Sequence, residues 1–355
     1  MKRVFVAMSG GVDSSVSALI LKLQGYDVVG CSFKLYSSQS KFDKSCCSPY
    51  DIKDAEKVAH KIKIPFFVLD LRDEFNNTVI KNFEREYLAG RTPLPCAHCN
   101  SEIKFKTFLE KAQRAGADLI ATGHYAKRIF ANGKFFLAKA QDEKKDQSYF
   151  LFGISEHVLE KILFPLGHLK KSVVKKIAEE YGLPTARKRE SQDLCFLEGE
   201  DYRNFIKKNI KTGEGVFIEK SGKIIGKHPG YFNFTVGQRK KLGINTNTGV
   251  PTYVLKIIPE KNQVVVGRKE DLMLKKFRVQ NVNWFCEEFK EEAKKGIRTE
   301  IKIRYEKIER DAEIILEDDK ETVSASFLEP YGPVTPGQAA VFYRDGIVLG
   351  GGFIS

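Results

Sequence analysis

The 355-residue chain has no apolar run near the roughly 18–20 residues that a membrane-crossing helix needs. Its N-terminal apolar stretch, Val4 to Met8, is too short for the core of a secretion signal. These two absences set the expectation of a cytoplasmic protein without membrane contact. There are no internal repeats and no low-complexity linker, which removes fibrous and solenoid architectures. The seven cysteines are an odd number in a chain without a secretion signal, so thiol chemistry, redox chemistry or a metal is expected in place of a disulfide framework. One Cys-x-x-Cys is present and no second, which argues against a closed four-ligand zinc site.

What is present is ordinary globular material, 42% hydrophobic and 30% charged residues, enough for a sizeable core. At about 150 residues per domain, the length corresponds to two or three domains. Lysine and arginine number 59 against 46 aspartates and glutamates, a net charge of +13 that suits a polyanionic partner such as nucleic acid.

The first 125 residues alternate strand and helix signals. Val4 to Met8 reads as a buried strand, Asp27 to Leu35, Phe66 to Leu71 and Asp118 to Ala121 as further strands, and Ser14 to Gln24, Asp51 to Ile62 and Ile103 to Ala115 as helices. Short connections between them imply an α/β fold, a parallel sheet with helices on both faces and ligands at the carboxyl ends of its strands. The texture changes after about residue 200. Gly213 to Gly226 reads as a hairpin turning at Ser221-Gly222, Thr252 to Gly267 as a second, and the short strands from about residue 278 onward as a small barrel or sandwich. The expected organisation is a nucleotide-binding catalytic domain over 1–200, a small mixed domain over 201–275 and a C-terminal β-barrel-like domain over 276–355.

Three segments carry chemistry. Ser9-Gly10-Gly11-Val12-Asp13-Ser14-Ser15 follows a strand and opens a helix. Its glycines let the backbone turn and approach an anion closely. A helix start offers unbonded N–H groups and the positive end of a dipole, so phosphate binds there. It is not a Walker A loop, because no Gly-Lys-Ser/Thr follows. The alternative is a glycine turn without a ligand. In Pro95-Cys96-Ala97-His98-Cys99-Asn100, the cysteine spacing suits a metal or a redox pair, and His98 reads as a turn or surface residue. Ser191-Gln192-Asp193-Leu194-Cys195-Phe196 follows the basic run Arg187-Lys188-Arg189, so Cys195 reads either as an inert buried thiol, the usual case on such a segment, or as a reactive thiolate whose pKa the nearby cations lower. Cys31 and Cys286 read as packing residues, and Cys46 and Cys47 as an exposed, non-essential pair.

The Ser9–Ser15 loop resembles the pyrophosphate loop of enzymes that split ATP between its α and β phosphates to adenylate a substrate. AMSGGVDSS (7–15), AGRTPLPCAHCNSEIKF (89–105), ATGHYA (121–126), KDQSYFL (145–151), SQDLCFL (191–197), TVGQRKKLGI (235–244), IRYE (303–306) and VTPGQAAVFYRDGIVLGGG (334–352) occur in this order. Together they resemble, over essentially the whole chain, the bacterial tRNA-specific 2-thiouridylases. The resemblance implies an adenine-nucleotide alpha-hydrolase-like fold and an ATP- and Mg²⁺-dependent sulfuration of the wobble uridine at its 2-position. Its substrates would be the tRNAs for Lys, Glu and Gln, and its sulfur donor a cysteine desulfurase or a sulfur-relay protein. A monomer is expected.

The resemblance assigns Cys99 as nucleophile and Cys195 as persulfide carrier, ending as a Cys99–Cys195 disulfide that must be reduced. It assigns ATP contacts to Ala7, Met8, Ser9, Gly10, Gly11, Val12, Asp13, Ser14, Phe33 and Gly123. tRNA contacts fall to Leu94, Pro95, Cys96, His124, Lys145, Asp146, Gln147, Arg304, Tyr305 and Gln338. The basic runs Arg187–Arg189 and Arg239–Lys241 would add salt-sensitive affinity for nucleic acid. There are two departures. Leu94 stands where an asparagine is common. Cys96 stands where many members have an aspartate, and its reference pKa of about 8.5, against about 3.9 for aspartate, prevents the same acid–base role. Three thiols then leave a second option open, an iron–sulfur cluster on Cys96, Cys99 and Cys195. The competing readings are a 2-thiocytidine or 4-thiouridine enzyme, an amide or amidino ligase that needs no cysteine, and a non-catalytic RNA-binding module.

Overall fold

The computed structural model describes residues 1–36, 49–188, 194–197, 199–207, 213–244, 251–305, 308–319 and 321–355. The expectations for Cys46, Cys47, Arg189, Ser191, Gln192, Asp193 and Glu306 lie outside the described residues. Two compact units are present. One comprises Met1–Ile80, Pro95–Glu200 and Asp345–Val348, the other Lys81–Leu94, Asp201–Arg344 and Leu349–Ser355.

The strands of the first unit are β1 (Arg3–Ala7), β2 (Asp27–Lys34), β3 (Phe66–Asp70), β4 (Leu119–Thr122), the antiparallel hairpin β5 (Lys127–Ala131) and β6 (Lys134–Ala138), and the short β7 (Ile162–Leu163). β3, β2, β1, β4 and β7 lie side by side in that order, every pair parallel. Parallel strands are covered on both faces, so their sequences run apolar without alternation. β2 follows this rule, with every residue from Val28 to Phe33 buried. The helices Val12–Leu23, Pro49–Lys61 and Lys171–Glu180 bring Val16, Leu19, Ala55, Val58, Ala59, Val174 and Ala178 into one core with Val4, Val6 and Val28. The chain steps from β1 outward to β2 and β3, then crosses to the other side of β1 at β4. Strand order therefore reverses between β1 and β4, the place where such sheets leave a crevice at their carboxyl ends.

The helix expected over Ile103 to Ala115 is longer and less regular. It opens at Pro95–His98, winds as a π-helix through Cys99–Thr107 and continues as an α-helix over Phe108–Arg114. Its apolar half is what the periodicity registers. The polar, cysteine-bearing half carries no amphipathic signal.

The second unit holds two β structures. β8 (Gly215–Glu219) and β9 (Ile224–His228) form the expected hairpin, as do β10 (Tyr253–Ile258) and β11 (Gln263–Gly267). Parallel pairing of β11 with β8 joins them in one four-stranded sheet. The remaining strands are β12 (Leu274–Trp284), β13 (Ile297–Lys302), β14 (Arg310–Leu316), β15 (Val323–Tyr331), β16 (Ala339–Arg344) and β17 (Ile347–Ile354). They run in the order β12-β15-β14-β13-β16-β17, and β12 pairs again with β17, so the barrel closes and no sandwich forms. The long β12 closes the ring by bending. Its first half pairs with β15 and its second with β17, across a bulge at Gln280–Asn283 where Asn281 takes φ 53°. A Cβ on Gly350 or Gly352 would lie 2.5 Å from the carbonyl oxygen of Asn283 or Gln280, which is why glycines fill this seam.

Gly10 has φ +70° and its missing Cβ faces the carbonyl of Asp51. A side chain there is strained and overlaps backbone, which costs about 1–3 kcal/mol or more. Gly10→Ala is expected to lower the melting temperature by several degrees and to abolish ATP binding, as read by differential scanning fluorimetry with and without nucleotide.

Candidate active site

The reversal point between β1 and β4 is occupied by the two motifs that follow those strands. Beyond β1, the Ser9 amide donates to Ser14 Oγ at 3.1 Å, and the Ser14 and Ser15 hydroxyls donate back to the Gly11 carbonyl at 3.2 and 2.8 Å. The serines thus tie off the loop's own polar groups. The first-turn amides of the helix Val12–Leu23 lack intrahelical acceptors and point to where an anion would sit. Beyond β4, the place of a Cβ on Gly123 is 2.8 Å from the Ser14 amide nitrogen, so only glycine lets the two loops meet. Phe33 packs its ring edge-on against Phe108, with centroids 4.9 Å apart, and borders a small cavity of about 10 Å³ with Met8, Ser9, Ser32, Asp51 and Ile52.

Asp13, in the first turn, is held by two residues from distant segments. Lys171 Nζ donates to its two carboxylate oxygens at 2.7 and 2.6 Å, and the Tyr125 hydroxyl donates to Oδ1 at 2.8 Å. Tyr125 is fixed in turn by Gln147, whose Oε1 accepts from the Tyr125 amide at 3.0 Å. The Lys171 side chain is only 9% exposed, unusual for a lysine. Neither Lys171 nor Tyr125 is apparent from spacing, because they lie 158 and 112 residues from Asp13.

Cys99 is buried at the start of the π-helix, and Cys96, one turn earlier, is exposed. Burial pushes the Cys99 thiol up to about 11, against the pull of the Lys104 charge. Burial also pushes His124 well below the ordinary imidazole range, and Lys104 adds to this. The Lys104 charge therefore acts on both groups, and His124 is neutral at pH 7. The His124 ring lies 5.7 Å from that of Phe105 in the same π-helix, and its Nδ1 is 2.8 Å from the Thr122 hydroxyl. π-turns of this kind recur at functional sites. Asn100 donates through Nδ2 to the Phe150 carbonyl at 3.0 Å, while its buried Oδ1 has no hydrogen-bond partner.

Cys195 is half-buried at the head of the turn Cys195–Leu197. The neighbouring Phe196 packs on Phe75 at 6.0 Å between centroids, and the turn Arg72–Phe75 also packs on Cys99–Thr107. One turn thus touches both cysteine-bearing segments. It borders an open groove of about 430 Å³ lined by Leu35, Tyr36, Arg72, Asp73, Phe75, Asn76 and Ile80. Among the described residues, no three His, Cys, Asp or Glu side chains converge as a metal site. As arranged, Cys96, Cys99 and Cys195 do not fit an iron–sulfur cluster.

Other expected residues are placed as follows. Asp146 turns inward, accepting from the Ala140 and Ser148 amides and the Ser148 hydroxyl at 2.9, 3.3 and 2.8 Å, so it holds the turn between Lys145 and Gln147. Lys188 is neutralised by Asp51 and Asp54 at 2.6 and 2.8 Å, which leaves Arg187 as the exposed cation of that run among the described residues. Arg239, Lys240 and Lys241 are exposed. In the second unit, Arg304 donates to the Val236 carbonyl at 3.2 Å and to the Thr335 hydroxyl, and Tyr305 is exposed near Lys302. Gln338 donates to the Thr92 and Pro93 carbonyls at 3.0 and 3.2 Å, bracing the backbone before Leu94. Pro95 is buried. Cys31 is fully buried, with its thiol pushed up to about 12, and Cys286 is buried ahead of the helix Glu287–Lys295, both as packing residues.

A parallel sheet with a glycine-serine loop at its reversal point, followed by two small β structures, defines a HUP-type nucleotide-site enzyme with appended barrels. A family model described as "tRNA methyl transferase HUP domain" matches residues 2–199. Models described as "tRNA methyl transferase PRC-barrel domain" and "Aminomethyltransferase beta-barrel domain" match 203–268 and 274–354. The tRNA-specific 2-thiouridylase MnmA 2 of Clostridium tetani is 41% identical, the match covering 99% of this chain and 98% of that protein. The tRNA-specific 2-thiouridylase MnmA of Caldicellulosiruptor saccharolyticus is 43% identical over the same shares. The chain belongs to the tRNA-specific 2-thiouridylase family. Among solved structures, the predicted subunit of a tRNA methyltransferase from Methanocaldococcus jannaschii covers 51% of this chain and is itself covered over 75% of its length, at 21% identity. Its TM-score of 0.33 is too low to define a shared fold.

The burial of Cys99 yields a direct expectation. With its thiol raised to about 11, iodoacetamide at pH 8 should label exposed Cys96 well before Cys99. Cys99 labelling should then rise about tenfold per pH unit up to pH 10. Peptide mass spectrometry of quenched samples reads both sites, and equal rates at pH 8 would contradict the buried placement.

Proposed function

We propose that this chain is an ATP-dependent sulfurtransferase that converts the wobble uridine of the tRNAs for Lys, Glu and Gln to 2-thiouridine. The observation that carries the reading is the meeting of the Ser9–Ser15 loop with Gly123 at the strand reversal, the Cys99–Thr107 segment and His124 alongside. Within its family, tRNA uridine 2-thiolation is the named activity. The catalytic work falls to residues 1–200, with 201–275 and 276–355 holding the tRNA arm.

ATP is a substrate, its phosphates on the loop from Ala7 to Ser14, with Phe33 and Gly123 beside it. Asp13 is the carboxylate at the loop. One carboxylate with phosphate oxygens and water makes an ordinary Mg²⁺ set, so the residues fit that ion, which would offset phosphate charge. The uridine O2 attacks the α-phosphorus, the bond to the β-phosphate bridge breaks, and pyrophosphate leaves. This turns a poor leaving oxygen into AMP.

Cys195 carries the sulfur as a persulfide, charged by a cysteine desulfurase or relay protein. In one course its terminal sulfur attacks C2, AMP departs, and the Cys99 thiolate attacks Cys195 Sγ, breaking the S–S bond and leaving sulfur on C2. In the other, Cys99 attacks first and releases hydrosulfide, which then displaces AMP. Both end in a Cys99–Cys195 disulfide, reopened by an external two-electron thiol reductant.

Burial keeps the Cys99 thiol protonated at neutral pH, and the Lys104 charge favours the thiolate that forms when it attacks. The Asn100 Oδ1 is an acceptor of the kind that the uracil N3–H needs; cytosine has no proton at N3. Neutral His124 contacts the base through hydrogen bonding and not through charge. Leu94, Pro95 and Cys96 line the base's approach. Lys145 and Gln147, on the turn held by Asp146, contact the tRNA together with Arg304, Tyr305 and Gln338. Phosphate contacts position and stacking aromatics read unstacked bases.

The test is thiolation of unmodified tRNA-Lys transcript with ATP, Mg²⁺, cysteine and a desulfurase, read by nucleoside mass spectrometry. The wild type should form 2-thiouridine. Cys99→Ser and Cys195→Ser should each lose more than about 10³-fold in rate while still releasing pyrophosphate. Thiolation that survives both substitutions would contradict the cysteine route.

A further inference from the structure

The phosphate loop has a gap in its chemistry. Between Ser9 and Ser15 it offers amides and hydroxyls but no cation, and no Gly-Lys-Ser/Thr follows to supply one. A leaving pyrophosphate gathers negative charge as its bond to the α-phosphorus breaks, and preorganised positive charge at that position is where phosphoryl-transfer sites gain most.

Lys171 is the cation placed to fill this gap. It reaches the loop from the start of the helix Lys171–Glu180, whose first amide is held by Asp142 at 2.8 Å. Its ammonium ends 2.7 and 2.6 Å from the carboxylate oxygens of Asp13, in the first turn of the helix whose N–H groups face the phosphates. A buried ion pair on its own is weak evidence of a stabilising role, since an apolar pair of similar volume is often as good. This pair also sits at an anion site, where a lysine is useful and a carboxylate is adverse. Asp13 does not depend on Lys171 for partners, because the Tyr125 hydroxyl, itself fixed through Gln147, also donates to Oδ1 at 2.8 Å. The ammonium can therefore leave the carboxylate without stranding it.

We propose that Lys171 is a catalytic residue of the adenylation step, paired with Asp13 in the free enzyme and moving onto the β-phosphate of ATP to hold the departing pyrophosphate. This rests on the reading of the loop as an ATP site. The uridine O2–Pα bond forms, the Pα–O bond to the β-phosphate breaks, and the electron pair leaves on the pyrophosphate oxygen that Lys171 meets.

The experiment uses the full chain with tRNA transcript and constant Mg²⁺. It measures single-turnover pyrophosphate release from ATP, and the binding of pyrophosphate and of AMP by calorimetry, for the wild type, Lys171→Met and Lys171→Arg. Lys171→Met should slow pyrophosphate release at least 100-fold and weaken pyrophosphate binding at least tenfold, with AMP binding within twofold. Lys171→Arg, which keeps the charge, should recover at least a tenth of the wild-type rate. Release within threefold of the wild type in Lys171→Met would overturn the proposal. So would equal loss of pyrophosphate and AMP binding in both variants, the mark of a merely structural ion pair. If Lys171→Met does not fold, Lys171→Gln, which also removes the charge, decides: wild-type AMP binding with pyrophosphate binding and rate selectively lost supports the role, and pyrophosphate binding and rate within threefold of the wild type overturn it. A wild-type protein that releases no pyrophosphate would instead refute the ATP reading itself.

Discussion

The first turn of the helix Val12–Leu23 must stay open to an anion while being packed on every other side, and the residues around it answer that constraint. Gly10 turns in a conformation that residues with a side chain rarely adopt, against the Asp51 backbone that leaves no room for a Cβ. Gly123 brings the β4 loop against the Ser14 amide with no side chain between. Ser14 and Ser15 bond back to the Gly11 carbonyl and satisfy it. Asp13 is adverse to an anion in this turn; Lys171 neutralises it and the Tyr125 hydroxyl hydrogen-bonds to it. Sheet order, glycine placement and this ion pair are one arrangement.

Two cysteine-bearing segments of the same unit lie on a common neighbour. The π-helix opens on buried Cys99, the turn Pro95–His98 before it leaves Cys96 exposed, and the turn Arg72–Phe75 packs both on the π-helix and on Phe196 after Cys195. Burial that raises the Cys99 thiol to about 11 also lowers its susceptibility to oxidation. Cys96 is an exposed sulfur, and among the described residues no metal geometry goes with it.

Much of this was legible in the sequence, and the rest was hidden for physical reasons. The strands β1, β2 and β4 are near-continuous apolar runs, and the glycine-serine loop is local in sequence, so both declare themselves. The barrel strands were readable as strands, but its closure depends on β12 pairing twice across a bulge at Asn281, which no period reveals. Cys99 was readable from its motif, while the π-winding that buries it was not, because that half of the helix is polar and irregular. Lys171 reads as one more lysine in a basic chain. Its pairing with a residue 158 positions away exists only after folding. Asp146 was expected to contact tRNA and Lys188 to add cationic affinity for nucleic acid, and in the fold each side chain is bonded to partners within the protein.

The central claim is that the crevice activates the uridine 2-carbonyl by adenylation. It is tested most directly by following that oxygen. A tRNA-Lys transcript carrying ¹⁸O at O2 of the wobble uridine is thiolated to completion with unlabelled ATP, and the products are analysed by mass spectrometry. The account predicts one ¹⁸O in AMP for each 2-thiouridine formed and none in pyrophosphate. Label in solvent water, with AMP unlabelled, would contradict it.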